Sequence, residues 1–311
     1  MSVTKYLITG GAGNIGSALT LELSKDANNQ IVIVDNFLTG SKDKIPKKEN
    51  VTFLKANVNN YNDIVPIFGR FNFDYVFHFA AVVGVKRTLE NPMMVLEDIE
   101  GIKNILSLSK NSGVKRVFYS SSSEVYGEPF EIPQNEQTTP LNSRLPYAIV
   151  KNVGEAFFKS YYQEYGLEYT IFRFFNTYGP NQSEDFVVPK FLKAALKNEP
   201  IYIYGDGKQT RSFCFVDDNI ETCIKSLKDP KYHNEVINIG SDKEMTVLEL
   251  ADTIIKVSNS NSKIIHVPAL EEGDMARRCP DTSKMKALLG KEQKALEKGL
   301  KLLIDFYENR K

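Results

Sequence analysis

A tyrosine placed four residues before a lysine becomes a chemical pair when one helix carries both. The ammonium then lies one turn from the phenol and favours a phenolate whose ordinary pKa is about 10. A tyrosine tuned in this way can take a proton near neutral pH. The spacing occurs three times, at Tyr147/Lys151, Tyr204/Lys208 and Tyr307/Lys311. The second pair sits in the turn-like YGDGK and the third in the last residues, where fraying is expected. Only Tyr147 and Lys151 begin a helical period. On that helix, at about 100° per residue, Tyr147, Lys151, Phe157, Phe158, Tyr161, Tyr162 and Tyr165 share one arc, with Glu155, Lys159, Gln163 and Glu164 outside it. The aromatic stripe predicts core or a subunit contact. A lysine on the same stripe is the anomaly, because a buried ammonium needs partners.

A second constellation is TGGAGNIG, which places Gly10, Gly13 and Gly16 between a strand and a helix. Glycines there permit a tight turn and let backbone N–H groups at the helix start approach a pyrophosphate. The next strand ends in Asp35, 19 residues beyond Gly16, where a carboxylate accepts hydrogen bonds from an adenosine ribose. The same carboxylate repels a 2′-phosphate, so NAD is expected over NADP, although Lys42 and Lys44 lie nearby in sequence and could compensate a phosphate.

The elements that must position these groups are legible as alternating runs. KYLIT 5–9, IVIV 31–34, VTFLK 51–55, DYVFHF 74–79, KRVFYS 115–120 and YTIFRF 169–174 read as strands, and 14–25, 93–111 and 147–165 as helices. Nearly continuous apolar strands separated by helices predict a doubly wound parallel α/β sheet of the Rossmann type, covered on both faces. Active sites of such sheets collect at the carboxyl ends of the strands, which puts the serines of SSSSEVYG beside Tyr147. After FNTYGPNQ the pattern loosens into helices near 187–197, 218–228, 246–258 and 295–309, predicting a smaller mixed α/β substrate domain over 181–311 after an NAD-binding domain over 1–180. EVINIG at 235–240 is a candidate to return to the first sheet.

Composition narrows the partners. Among 311 residues, 39 basic side chains balance 39 acidic ones, a distribution with no field to recruit nucleic acid or an anionic membrane. No apolar run approaches the roughly 20 residues of a membrane span, and the N-terminus enters a strand without a basic leader, which predicts a cytoplasmic protein. Three cysteines (Cys214, Cys223, Cys279) and three histidines (His78, His233, His266) show no metal-ligand spacing, so no metal is expected.

Taken together, TGGAGNIG, Asp35, FHFAA at 77–81, SSSSEVYG, YAIVK, FNTYGP and GDGKQTRSF resemble the extended short-chain dehydrogenase/reductases that modify nucleotide sugars, the group of the UDP-galactose 4-epimerases. The resemblance runs through nearly the whole chain. It implies Tyr147 as the base, Lys151 as its tuner and a ligand of the nicotinamide ribose, and Ser122 as a hydrogen-bond partner of the sugar 4-hydroxyl. The cofactor site it implies also includes Asn14, Ile15, Asn36, Asn57, Val58 and Ala80. Ser123, Asn176, Arg211 and Arg278 would contact the nucleotide-diphosphate sugar, and the protein would be a homodimer.

Several positions depart from the family pattern. Asn57 replaces an aspartate, Asp98 an asparagine, and Glu271 an arginine whose phosphate contact Arg277 or Arg278 could supply. Asp98 falls on an apolar arc with Ile99, Ile102 and Leu106, so it must be paired or protonated. The implied reaction is NAD-dependent oxidation at C4, followed by re-reduction in a 4-epimerase. The alternatives are a 4,6-dehydratase or decarboxylase using Glu124 as a further catalytic residue, and a dehydrogenase that releases the 4-keto sugar. YAIVK, where decarboxylases resemble YDEGK, counts against that branch, and Ser123 in place of an aspartate counts against the dehydratase. An NAD-sensing scaffold on the same fold would be expected to lack the tyrosine or the lysine.

Overall fold

The computed structural model describes residues 3–269 and 277–309. The chain divides into two compact units: one comprises Met1–Val125, Ser143–Arg173 and Cys223–Ile237, the other Tyr126–Asn142, Phe174–Thr222 and Asn238–Lys311.

The first unit is built on a seven-stranded sheet. From one edge its strands are Val51–Lys55, Asn29–Asp35, Thr4–Thr9, Tyr75–His78, Arg116–Ser122, Glu168–Phe174 and Glu235–Ile239. The pairings of Thr4–Thr9 with Asn29–Asp35 and Tyr75–His78, and those continuing outward to Val51–Lys55 and Arg116–Ser122, are parallel. This is the doubly wound architecture anticipated from the apolar strand runs. The order reverses between Thr4–Thr9 and Tyr75–His78, which opens a crevice at their carboxyl ends. Leu7, Val32, Val34, Val76, Val117 and Ile171 point from the strands into one continuous apolar core.

Helices Asn14–Leu23, Tyr61–Arg70, Asp98–Asn111 and Pro146–Tyr165 belong to this unit. Tyr61–Arg70 has no counterpart in the periodicity reading, because Pro66 interrupts the pattern while Asn60 caps the start by accepting from the Asn62 N–H. The helix expected over 93–111 is divided at Glu97 into Pro92–Leu96 and Asp98–Asn111. The segment Cys223–Ile237 is tied to the strands by polar anchors. Arg116, only 2% exposed, donates to the carbonyls of Ser226 and Leu227 at 3.2 and 2.6 Å, and Asn234 exchanges hydrogen bonds with the backbone of Tyr169.

In the second unit, helices Val187–Leu196, Val247–Val257 and Leu296–Glu308 match the sequence periodicity to within a residue or two, and Ser283–Leu289 adds a short one. Thr246 and Glu249 form a reciprocal capping box at Val247–Val257. Ile201–Tyr204 pairs in parallel with Ile264–Val267, and Thr210–Ser212 antiparallel with Glu244–Thr246.

Candidate active site

The glycine turn is shaped for close backbone approach. Gly10 has φ of +69°, and a Cβ there would lie 2.8 Å from the backbone N of Ala80; a Cβ on Gly16 would lie 2.2 Å from the carbonyl oxygen of Gly10. Helix Asn14–Leu23 begins after Gly13 with no side-chain cap, so its first N–H groups face the turn. Asn14 Oδ1, also in the first turn, is buried without a hydrogen-bond partner, and Ile15 is half-buried. Asp35, 8% exposed, is held against this turn: Oδ2 accepts from the Ala12 N–H at 3.0 Å and Oδ1 from the Phe37 N–H at 2.8 Å. Asn36 is exposed and Val58 buried. Asn57 Oδ1 accepts from the Asn59 N–H at 3.1 Å, keeping one lone pair for a further donor. Ala80 is fixed across the crevice by Thr9 Oγ1, which accepts from the N–H groups of Phe79 and Ala80. Uncapped helix N–H groups, an orphaned amide oxygen and a carboxylate anchored at the end of the second strand suit a dinucleotide.

Tyr147 is the second residue of helix Pro146–Tyr165 and is half-buried, whereas Lys151 is 3% exposed. Pro146 opens the helix at a position where its missing N–H costs nothing. Lys151 Nζ donates to the Ser120 carbonyl at 2.6 Å and lies 5.6 Å from the Tyr147 ring centre and 5.1 Å from that of Tyr119. Burial pushes the Lys151 ammonium down to about 8, partly opposed by the field of Asp98. Asp98 is itself buried, and that burial pushes its carboxyl upward, against the pull of the Val82 N–H at 2.7 Å, Asn59 Nδ2 at 3.2 Å and the Lys151 charge. The pairing anticipated for Asp98 thus takes the form of two hydrogen bonds and a nearby cation. His78, fully buried against Thr9 Oγ1 at 2.9 Å, is pushed down to about 3 by burial and by Lys151, so it is neutral.

Ser122 ends the strand Arg116–Ser122, and Ser123 and Glu124 follow in a short 3-10 turn. The Ser122 hydroxyl accepts from the Glu124 N–H at 3.2 Å. Glu124 is half-buried.

The aromatic arc drawn on this helix requires correction. Its buried face is Ala148, Val150, Lys151, Gly154, Glu155 and Phe158, while Tyr162 and Tyr165 are 43% and 52% exposed. Tyr119 decides the orientation: its hydroxyl lies where a Cβ on residue 154 would sit, 2.2 Å away, so only glycine lets the helix settle onto the strand there. Glu155, expected outside, is 1% exposed and forms a bidentate pair with Arg173. The available signal was Arg173 itself, a charge in the otherwise apolar strand run YTIFRF.

The second unit holds the remaining predicted residues. Asn176 Nδ2 donates to the Ser212 carbonyl at 3.1 Å, and the Cys214 N–H donates to the Asn176 carbonyl. Arg211 is 9% exposed, with Nη1 donating to the Thr210 carbonyl at 2.7 Å. Arg278 is 6% exposed. Arg277, anticipated with Arg278 as a substitute for the missing phosphate contact, is engaged in a bidentate pair with Glu244 at 3.0 and 2.6 Å, which holds that carboxyl below its usual range. Glu271 lies outside the described residues. The three cysteines are buried and reduced.

The model of the NAD dependent epimerase/dehydratase family matches residues 6–240. The UDP-N-acetyl-alpha-D-glucosaminuronate decarboxylase of Bacillus cytotoxicus is 37% identical over 320 residues, spanning 97% of each chain. The putative UDP-glucose 4-epimerase of Methanocaldococcus jannaschii is 35% identical over 309 residues, spanning 97% of this chain and 98% of that one. The crystal structure of Thermotoga maritima UDP-glucose 4-epimerase with UDP-glucose superposes with a TM-score of 0.92 at 31% identity, over 99% of both chains. With its Rossmann sheet, glycine cradle and anchored Asp35, the chain belongs to the NAD dependent epimerase/dehydratase family and is an enzyme that uses NAD.

Proposed function

We propose that this enzyme oxidises C4 of a nucleotide-diphosphate sugar and reduces it again from the opposite face, as a 4-epimerase. The reading is carried by Tyr147 and the buried Lys151, one helical turn apart on a helix packed against the strand that ends in Ser122. The glycine turn and Asp35 would hold NAD, which would supply the hydride acceptor and donor for C4. Tyr147 removes the C4 hydroxyl proton in the first half and returns it in the second, with the Lys151 ammonium favouring the phenolate and also binding the nicotinamide ribose. Ser122 donates to the C4 oxygen, and Ser123 contacts the sugar.

Asn176, Arg211 and Arg278 bind the nucleotide diphosphate, with the guanidinium groups suited to charge-assisted phosphate contacts. The pairing of Arg277 with Glu244 favours Arg278 for this role. We further propose residues 1–180 as mainly NAD-binding and 181–311 as mainly substrate-binding. The protein is proposed to act as a cytoplasmic homodimer; exposed Tyr162 and Tyr165 beside a groove lined by Phe157 and Tyr161 support self-association. Among the described residues no helix is long and apolar enough to cross a membrane.

A second reading, sugar-acid decarboxylation after the same C4 oxidation, is supported by the likeness to the B. cytotoxicus decarboxylase. NMR of the purified protein with a panel of nucleotide sugars and sugar acids separates the outcomes. C4 inversion supports the proposal; a 6-deoxy-4-keto product, loss of the carboxyl carbon or a released ketone overturns it in favour of the corresponding branch.

A further inference from the structure

Ser121, Glu155 and Arg173 form a buried polar knot that the proposed reaction leaves unused. They are 3%, 1% and 2% exposed. Arg173 Nε and Nη2 meet the two Glu155 oxygens at 2.8 and 2.7 Å, and Ser121 Oγ donates to Glu155 Oε1 at 2.6 Å. Lys159, at the helix surface, adds a longer contact of 3.9 Å to Oε2. Ion pairs buried to this degree commonly add little stability over apolar residues of the same volume, because both charges are desolvated. Position accounts for the knot better than stability does.

Each partner is attached to a different part of the site. Glu155 follows Lys151 by one turn of the same helix, and Arg173 stands on the neighbouring strand Glu168–Phe174. Ser121 lies between Ser120, whose carbonyl holds Lys151 Nζ, and Ser122. One carboxylate thus joins the helix of Tyr147 to two adjacent strands, directly beside the groups that hold the lysine. Bidentate geometry suits the task, since it fixes orientation as well as distance.

We propose that Glu155, locked by Arg173, is a positioning residue that acts through Ser121. It sets the height of residues 120–122 against the helix, so that the Ser120 carbonyl stays on Lys151 and Ser122 stays at the C4 oxygen. The proposal rests on the roles proposed for Tyr147, Lys151 and Ser122. Other titratable groups near Lys151 are Asp98 from helix Asp98–Asn111, His78 from strand Tyr75–His78, and Tyr119 from strand Arg116–Ser122. Their hydrogen bonds run away from the knot, from Asp98 to Val82 and Asn59 and from His78 to Thr9, while the Tyr119 hydroxyl is buried without a partner. Asp98 and His78 therefore form a constant background in the test, whereas Tyr119, held protonated by burial and by the charges of Tyr147, Glu155 and Asp98, is coupled to Glu155, so the Ser121 pair, which leaves Glu155 charged, carries the decision.

The test compares Ser121→Ala, which removes one hydrogen bond and leaves the ion pair, with Ser121→Thr, which keeps the hydroxyl. In the full-length NAD-loaded protein, Tyr147 is titrated by ultraviolet difference spectroscopy against Tyr147→Phe in each background, and kcat and KM are measured separately. In Ser121→Ala the Tyr147 titration is expected to rise by about half a pH unit or more as the Lys151 charge drifts. Its kcat is expected to fall about tenfold, the scale of a small misplacement, with KM and bound NAD within about twofold. Ser121→Thr restores both readouts. Glu155→Gln should exceed the alanine effect, and should it fail to fold, the Ser121 pair still decides. An unchanged Tyr147 titration with kcat within about twofold in Ser121→Ala overturns the proposal, as does equal impairment in Ser121→Thr. A wild-type protein that turns over no nucleotide sugar sinks the reaction assignment instead, and the Tyr147 titration alone then judges the positioning role.

Discussion

Lys151 Nζ lies 2.6 Å from the carbonyl oxygen of Ser120 and 3.5 Å from its hydroxyl, inside the strand that ends two residues later at Ser122. The ammonium is thereby anchored to the strand rather than to a carboxylate, with 5.6 Å to the centre of the Tyr147 ring. A cation held by neutral oxygens keeps more of its field for a developing phenolate than one cancelled by a direct ion pair.

From that arrangement, Tyr147→Phe should leave fold and bound NAD intact while lowering turnover by about 10²-fold or more, the range for losing a general acid–base. Circular dichroism and cofactor content serve as controls. Near-normal turnover would remove Tyr147 from the mechanism.

Lys151 also makes a prediction about stability. Its folded pKa, about 8, lies below the ordinary lysine value of 10.5 because burial disfavours the charged form. The unfolded chain therefore binds more protons between those values, and stability rises with pH across that window. Below pH 8 the penalty is fully present. In protein freed of NAD, Lys151→Met should gain about 1–3 kcal/mol at neutral pH and progressively less toward pH 10.5, as judged by urea unfolding. A variant less stable than wild type at neutral pH would contradict this ordering.

Asp35 receives two backbone N–H groups of the loops that surround the cofactor turn. Asp35→Ala should weaken the preference for NAD over NADP and lower stability by about 1–3 kcal/mol by orphaning those donors. Cofactor released from denatured wild type should be NAD(H); finding mainly NADP(H) would refute the assigned role.

Arg211 and Arg277 are expected to separate. Arg211→Ala should weaken binding of the free nucleoside diphosphate by about 1.5–3 kcal/mol, the scale of a charged hydrogen bond, in calorimetry. Arg277→Ala should weaken it by less than about 1 kcal/mol, since the exposed Arg277 is spent on Glu244. Reversed magnitudes would exchange the two roles.

Glu124 discriminates between reactions, because once C4 is a ketone the C5 hydrogen is acidic and a nearby carboxylate can remove it. Epimerisation needs no such base. Glu124→Gln is expected to retain at least about a tenth of the 4-epimerisation, above the loss typical of a general base. Exchange of the C5 hydrogen with solvent deuterium in wild type but not in the variant would make Glu124 the C5 base and favour dehydration.

What the sequence determined by itself was local. The glycine turn, Asp35 at the end of the next strand, and Tyr147 four residues before Lys151 each depend on backbone geometry within a single strand, turn or helix, and these constraints leave a mark in residue spacing. The apolar strand runs likewise announced a sheet covered on both faces, because strands buried on both sides have no polar alternation. Tertiary structure decided which face of the Tyr147 helix is buried. Its aromatic residues outweigh its polar ones on a helical wheel, yet Tyr119 meeting Gly154 turns Glu155 inward and leaves Tyr162 and Tyr165 at the surface. Glu155 is stable there because of Arg173, 18 residues away, and Ser121, 34 residues away. Chain order also hides that Tyr126–Asn142 and Cys223–Ile237 belong to the units other than those of their immediate neighbours. The physical reason is common to these cases: burial of a charge or of a loop is settled by partners distant in sequence, and periodicity registers only what a segment does by itself.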